Sequence, residues 1–230
     1  MSALDRVALF RVMSEESRER MARAATPVAP RDGSTLFAQG DAADAVYAIV
    51  EGDGQVRIGS IDHRSKGMMV AILRAGDVVG EIGVLDGGAR TADAVVIGHL
   101  RLLRIGRAAF MSAMHEEPAI AIELARMLAE RLRRTFALLE DASFETLEVR
   151  LARQVAYMAR TGVRRPGQGV RLPGRLRQAD LANLLGATPR SIITILNAWR
   201  AAGMVAYDTE RAWLTVLDET RLAELCAPAA

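Results

Sequence analysis

The stretch Glu117 to Ser143, EPAIAIELARMLAERLRRTFALLEDAS, constrains this chain more than any other. It reads as one amphipathic helix of about seven turns, with Pro118 suited to the first turn. Ala125, Leu128, Leu132, Thr135, Leu139 and Ala142 step alternately by three and four. That is the spacing of a coiled-coil seam rather than of a single core face. A connecting helix packed on one side is the plainer alternative, and the pattern alone leaves both open.

What flanks the helix differs on its two sides. Thirteen of the 19 glycines fall before residue 110. They bound short apolar runs at Ser34–Phe37, Ala45–Val50, Gly54–Ile61, Met68–Leu73, Asp77–Gly80, Ala92–Ile97 and Leu100–Ile105. Short strands at this spacing, with Gly-Asp turns at Gly40, Gly52 and Gly76, predict an antiparallel sandwich or roll. Residues 3–24 predict one or two short helices ahead of it, and Arg107–Glu116 a short helix behind it. Beyond the long helix, Thr146–Arg160 carries Leu147, Leu151, Val155 and Met158 at helical spacing, with Thr146 as N-cap. Thr161–Arg175 predicts a loop with at most short strand character. Two further helices around Gly186, two β-like runs (Met204–Tyr207 and Ala212–Val216) and a final helical stretch at Asp218–Leu225 complete the chain. The expected organisation is residues 1–116, a long helix at 117–145, and a C-terminal module at 146–230.

Charge follows the same division. Residues 1–145 hold 18 basic and 21 acidic side chains, whereas residues 146–230 hold 12 and 7. An excess of arginine in the last third suits a polyanion partner, because arginine contacts to phosphate release counterions. The single cysteine, Cys226, excludes an internal disulfide or a cysteine-ligated iron–sulfur cluster within one chain. The only histidines, His63, His99 and His115, are far apart, which argues against a metal-dependent enzyme on the roll and against haem. No apolar run approaches the roughly 20 residues a bilayer requires. The N-terminus lacks a basic start, an apolar block and a small-residue cleavage site. The expectation is a cytoplasmic protein with no membrane partner.

Two motifs carry chemistry. In Gly80-Glu81-Ile82-Gly83-Val84-Leu85-Asp86-Gly87-Gly88-Ala89-Arg90-Thr91, the glycines permit tight turning and close approach of backbone to a ligand. Main-chain N–H groups of such a loop converge on an anion. Arg90 offers a planar charged fork for phosphate and Thr91 a further donor. Glu81 suits a ribose hydroxyl or a neighbouring arginine. A Gly-rich roll corner with an internal Glu–Arg ion pair is the structural alternative.

The second motif spans Leu176 to Arg200 and reads as helix, glycine turn, helix. Leu181, Leu184 and Leu185 face inward, Gly186 ends the first helix in the left-handed conformation, and Thr188 caps the second, with Pro189 in its first turn. Ile192, Ile195, Leu196 and Trp199 form a buried stripe. Arg190, Thr194 and Asn197 lie opposite, where a recognition helix presents side chains to base edges. Arginine reads guanine, asparagine reads adenine, and threonine meets an edge or a thymine methyl. Ile193, on the flank of that face, is an apolar residue with a thymine methyl as one conceivable contact. A helical hairpin with a solvated polar face is the alternative. Asp208–Arg211 reads as a wing, with Arg211 as a backbone contact.

Together these residues resemble the CRP/FNR superfamily of bacterial transcription regulators over nearly the whole chain. The resemblance implies an α+β architecture: an N-terminal β-roll with a phosphate-binding cassette, a long dimerisation helix and a C-terminal winged helix-turn-helix. It implies that Glu81 takes a ribose 2′-hydroxyl and that Arg90 and Thr91 take a cyclic phosphate, with Gly80, Ile82 and Gly83 shaping the loop. It places Arg131 near the phosphate and Thr135 at the adenine of cyclic AMP or a related nucleotide. Cyclic-AMP receptors usually carry a second small polar residue after that threonine, and here Phe136 stands there. The resemblance implies DNA contacts from Arg177, Gln178, Thr188, Arg190, Ser191, Thr194, Asn197 and Arg211. Arg177 occupies the usual Ser/Thr cap position, and Thr194 a position often held by arginine. The implied partners are pseudo-palindromic duplex DNA, a second copy of the chain and RNA polymerase. The competing readings are the same fold sensing a non-nucleotide signal or none, and a small-molecule-binding module whose output is protein contact.

Overall fold

The computed structural model describes residues 2–61 and 67–227, so His63 and Lys66 lie outside the described residues. The chain divides into two compact units, Met1–Arg133 and Arg134–Ala230.

The first unit opens with 3₁₀ turns at Ala3–Arg6 and Ala8–Phe10 and helix α1, Glu15–Ala24. Strands β1 (Thr26–Val28), β2 (Thr35–Phe37), β3 (Ala45–Gly52), β4 (Gln55–Ile61), β5 (Gly67–Leu73) and β6 (Val78–Val79) lead to the short helix α2, Glu81–Asp86. Strands β7 (Asp93–Ile97) and β8 (Leu100–Gly106) then run into α3, Arg107–Glu116, and α4, Pro118–Phe144. The strands form two antiparallel four-stranded sheets, ordered β1-β8-β3-β6 and β2-β7-β4-β5. β3 is buried on both faces, and its alternating side chains serve two cores. Tyr47 and Ile49 join Val56, Val79, Val96 and Leu102 in one cluster. Val46, Ala48 and Val50 join Leu4, Phe10, Phe110, Ile120 and Leu124 in another, beneath the helices. The strands expected from the glycine spacing are all present. β1 was not expected; Pro27 sits at its centre, which only an edge strand such as this one accepts.

α4 belongs to the first unit through its N-terminal half. Ile120 and Leu124 are buried in the helix-side core, and Met127 and Leu128 pack against it.

The second unit contains the end of α4, then α5 (Leu147–Ala159), β9 (Val163–Arg165), β10 (Gly169–Arg171), α6 (Gln178–Leu185), α7 (Pro189–Ala201), β11 (Val205–Asp208), β12 (Trp213–Val216) and α8 (Glu219–Cys226). The expected loop at 161–175 holds a hairpin, whose β10 joins an antiparallel sheet ordered β11-β12-β10-β9. Leu151, Val155, Leu181, Ile192, Leu196, Trp199, Leu214 and Leu222 are buried in this unit. The Trp199 indole N–H donates to Glu148 Oε1 at 2.9 Å, tying α7 to α5. Arg150 donates to the Leu185 carbonyl at the end of α6, satisfying a terminal acceptor. Arg153 bonds Asp141 at 2.5 Å, Glu145 at 2.8 Å and the Cys226 carbonyl at 3.2 Å, joining the end of α4 to α5 and α8.

Candidate functional site

The glycine-rich corner follows β6. Gly80 has φ 86°, and a Cβ there would stand 2.5 Å from Arg90 Nη1, so both conformation and space require glycine. Gly83 is closely packed as well: a Cβ would lie 2.7 Å from the Ala43 Cβ and 2.8 Å from the Ala89 carbonyl oxygen. The corner is not the open loop expected, because Glu81–Asp86 closes into α2. Within it Ile82 is exposed, whereas Gly83 and Val84 are buried.

Arg90 is the centre of the corner. Its guanidinium donates to the Gly80 carbonyl and to the Ala45 carbonyl, both at 2.7 Å, and lies 4.3 Å over the Phe37 ring. Asp44 approaches at 3.7 Å. Only 2% of the side chain is exposed, and its Nε is buried without a hydrogen-bond partner. Burial pushes its pKa down from the usual arginine value, partly offset by Tyr47 and Asp44; arginine remains a cation throughout. Thr91 next to it is exposed. Phe37 and the Ala45 carbonyl were not foreseen, since nothing in the local spacing around residue 90 points to strands some fifty residues earlier.

Glu81 pairs with Arg131 rather than with Arg90. Arg131 Nη1 donates to Glu81 Oε1 at 2.5 Å, and Nη2 to the Val78 carbonyl at 2.7 Å. The Glu81 side chain is 3% exposed and that of Arg131 31%. Asp77, also missed from the sequence, lies in the same neighbourhood. Burial raises its pKa, opposed by the Arg74 N–H and by the charges of Arg131 and Arg74. The structure thus brings Gly80, Glu81, Gly83, Arg90 and Arg131 together in the first unit. Thr135 lies one turn beyond Arg131 on an exposed part of α4, in the span of the second unit.

Of the expected seam of α4, Ala125, Leu132, Thr135, Leu139 and Ala142 are exposed, and only Leu128 departs. Leu128 packs against the roll core, because the helix must cover that core with Ile120, Leu124, Met127 and Leu128. A second apolar stripe runs through Ile122, Ala125, Ala129, Leu132, Phe136 and Leu139, all exposed but the half-buried Ala129. In it Ile122, Leu132, Phe136 and Leu139 are 55 to 62% exposed. Its steps still alternate by three and four.

In the second unit α6 and α7 form the helix-turn-helix. Gly186 takes φ 60° at the end of α6, and Thr188 Oγ1 accepts from the Ser191 N–H at 3.2 Å at the start of α7. The Thr188 and Ser191 hydroxyls also bond each other at 2.9 Å. Asp180 caps α6 from within by accepting the Arg177 N–H at 2.7 Å. The exposed Arg177 side chain, which has no acceptor atom, leaves the reciprocal half of that box empty. Gln178 is half-buried. Ile192, Leu196 and Trp199 face the core as expected, with Ile195 half-buried. Arg190, Ile193, Thr194 and Asn197 are exposed on one face. Asn197 Oδ1 accepts from Arg200 at 3.3 Å, and Thr194 Oγ1 donates to the Arg190 carbonyl at 3.0 Å. In the turn between β11 and β12, Asp208 accepts the Arg211 N–H and, more weakly, the Glu210 N–H, which pulls its carboxyl below the usual range. Trp213 carries Arg171 at 4.4 Å and Arg211 at 5.2 Å.

Among the described residues, no group of His, Cys, Asp and Glu is placed to hold a metal ion, and no helix is long and apolar enough to cross a membrane. Residues 27–117 match the cyclic nucleotide-binding domain and residues 149–225 the Crp-like helix-turn-helix domain. A cyclic AMP receptor protein of Thermus thermophilus is 30% identical over 173 residues, covering 75% of this chain and 76% of that protein. The chain belongs to the CRP/FNR family of transcription regulators. A CRP-like cAMP-activated global transcriptional regulator of Mycobacterium tuberculosis is 29% identical over 220 residues, 96% of either chain. A CooA mutant from Carboxydothermus hydrogenoformans shares the fold at a TM-score of 0.78 and 22% identity, over 97% of both chains. As a CRP/FNR regulator the chain uses its roll, long helix and helix-turn-helix in the order the sequence predicts.

Proposed function

We propose that this CRP/FNR regulator is a homodimer that binds pseudo-palindromic duplex sites through α7 and responds to a nucleotide effector at Gly80–Thr91. Cyclic AMP is the first candidate. The observation that carries the reading is the Glu81–Arg131 pair, which fastens the glycine corner to the long helix. An effector that competes for Glu81 acts directly on α4. The corner also fits an anion: a permanent cation with an unpaired Nε sits under glycine backbone, beside an exposed threonine hydroxyl. Arg90 and Thr91 would hold the phosphate, and Glu81 the ribose. Because Arg90 is satisfied by two carbonyls and shielded from solvent, binding requires its fork to turn outward or the corner to open. The exposed stripe on α4 supplies the surface for a second copy, and two recognition helices then meet half-sites about one DNA turn apart. RNA polymerase is the expected downstream partner of such a regulator.

Calorimetry with cyclic AMP and cyclic GMP, beside a gel shift on promoter fragments with and without each nucleotide, tests the proposal. Expected results are saturable binding of one nucleotide and a nucleotide-dependent shift. Specific DNA binding unaffected by either nucleotide would transfer the reading to another effector or to none. Absence of salt-dependent, sequence-specific binding under all conditions would favour protein contact as the output.

A further inference from the structure

The outward face of α7 holds one apolar residue among polar ones. Counted at 100° per residue, Arg190, Ile193, Thr194 and Asn197 fall within about a third of the helix circumference. All four are exposed, Ile193 at 37%. Ile193 stands at one edge of this reading face, and along the helix axis it falls between Arg190 and Asn197. The inner positions Ile192, Leu196 and Trp199 are buried in the core, whereas Ile193 leaves part of its side chain in solvent. Thr194 has turned its hydroxyl proton back onto the Arg190 carbonyl at 3.0 Å. With that donor engaged, its side chain offers a methyl group and a lone pair to anything facing the helix.

We infer that Ile193 and the Thr194 methyl read the C5-methyl group of a thymine in each half-site, between bases read by Arg190 and Asn197. The inference rests on α7 entering the major groove, as proposed above. Of the four base-pair edges in the major groove, only A·T and T·A carry an apolar group, the thymine methyl, and side-chain methyls recognise it by contact. An isoleucine facing a phosphate or a G·C edge would leave polar groups desolvated without hydrogen bonds. An isolated apolar side chain flanked by an arginine and an asparagine matches an isolated methyl flanked by donors and acceptors. It does not match a protein-docking surface, which gathers several apolar groups. A 5-methylcytosine presents the same methyl and would be accepted at that position in preference to cytosine.

The test begins by selecting the preferred duplex from a random pool with the full-length protein, then replacing thymines one at a time by deoxyuridine. That exchange removes the methyl and leaves every hydrogen-bonding group in place. The expected result is one thymine per half-site at which the exchange weakens binding by on the order of four-fold, the effect of one lost methyl contact. Ile193→Ala should bind the thymine and uracil duplexes within two-fold of each other, and Thr194→Ser should narrow the difference. Both variants keep the capping and core residues of α7, and their melting curves serve as the folding control. Specific binding that is indifferent to every thymine-to-uracil exchange would overturn the inference while leaving DNA binding intact. So would a methyl effect that persists undiminished in Ile193→Ala, because it would then arise from duplex shape. Failure to select any preferred duplex would overturn both this inference and the DNA-binding reading.

Discussion

Arg131 donates to a carboxylate that is almost wholly enclosed and to the Val78 carbonyl, so its removal strands a charge rather than a contact. Arg131→Met should destabilise the first unit by about 3 kcal/mol, the scale on which a buried pair is broken from one side. Adding Glu81→Gln should recover most of that loss; chemical denaturation of the single and double variants measures both. A double variant no more stable than Arg131→Met would show that the pair does not hold the corner. Thr188→Ala removes the side-chain acceptor for the Ser191 N–H and should cost about 1 kcal/mol in the second unit. These caps and glycines were legible because each is decided within a few residues. Gly186, Thr188 and Pro189 announce one helix end and the next start without reference to the rest of the chain. The Arg90 fork was not legible. Residue type alone offered it to phosphate, whereas the fold brings the Ala45 and Gly80 carbonyls within 2.7 Å of it. The choice of Arg131 over Arg90 as the partner of Glu81 is likewise a product of tertiary placement.

Among the elements, α1 shows how a terminal helix is held. Ser14 accepts the Ser17 N–H as N-cap and donates its hydroxyl to Glu117 Oε1 at 2.7 Å, while its own N–H reaches Oε2 at 2.9 Å. Arg20 adds a contact to Glu116 at 2.5 Å. The Ser14 and Ser17 hydrogen bonds hold the Glu117 carboxyl below the usual glutamate range. A depressed folded value means stability that is complete above the unfolded pKa and lost as pH falls toward the folded one. The window opens below about pH 4.3. Ser14→Ala should lower the melting temperature at neutral pH by roughly 2–4 °C, as loss of one cap does in a chain of this size. It should also raise the Glu117 pKa toward its ordinary value in an NMR titration, so that less stability disappears on acidification. An unchanged Glu117 titration would remove the hydroxyl from this account. At this scale, periodicity gave every helix but the short α2, and most strands. It missed β1, which is three residues long with a central proline, and understated the β9–β10 hairpin, whose order comes from pairing with β12. The expected seam missed at Leu128 for a related reason. Leu128 and Ala129 are adjacent apolar residues, and only the presence of a core to be covered decides which one faces it.

At the level of the whole molecule, the proposal of a homodimer rests on the stripe from Ile122 to Leu139. Leu132→Lys with Leu139→Lys places two like charges per chain on that stripe and should convert a dimer to a single-chain species in sedimentation equilibrium, with DNA affinity falling in parallel. Dimers that survive the double substitution would move the interface elsewhere. The stripe is graded along its length. After Ile122 it passes the small Ala125 and Ala129 and continues with the bulky Leu132, Phe136 and Leu139. Two helices paired along it approach closely beside the roll and are held farther apart toward Phe144, because interaxial distance follows side-chain size within a range of about 8–10 Å. Such a pair is a wedge rather than a parallel rod. In the proposed dimer its angle would be set where Phe136 meets its counterpart, so the bulk at that one position would govern the separation of the two chains where the helices end. A series of Phe136 to Leu, Val and Ala should then draw the ends of the helices together in steps, measurable as decreasing distances between spin labels placed at residue 144.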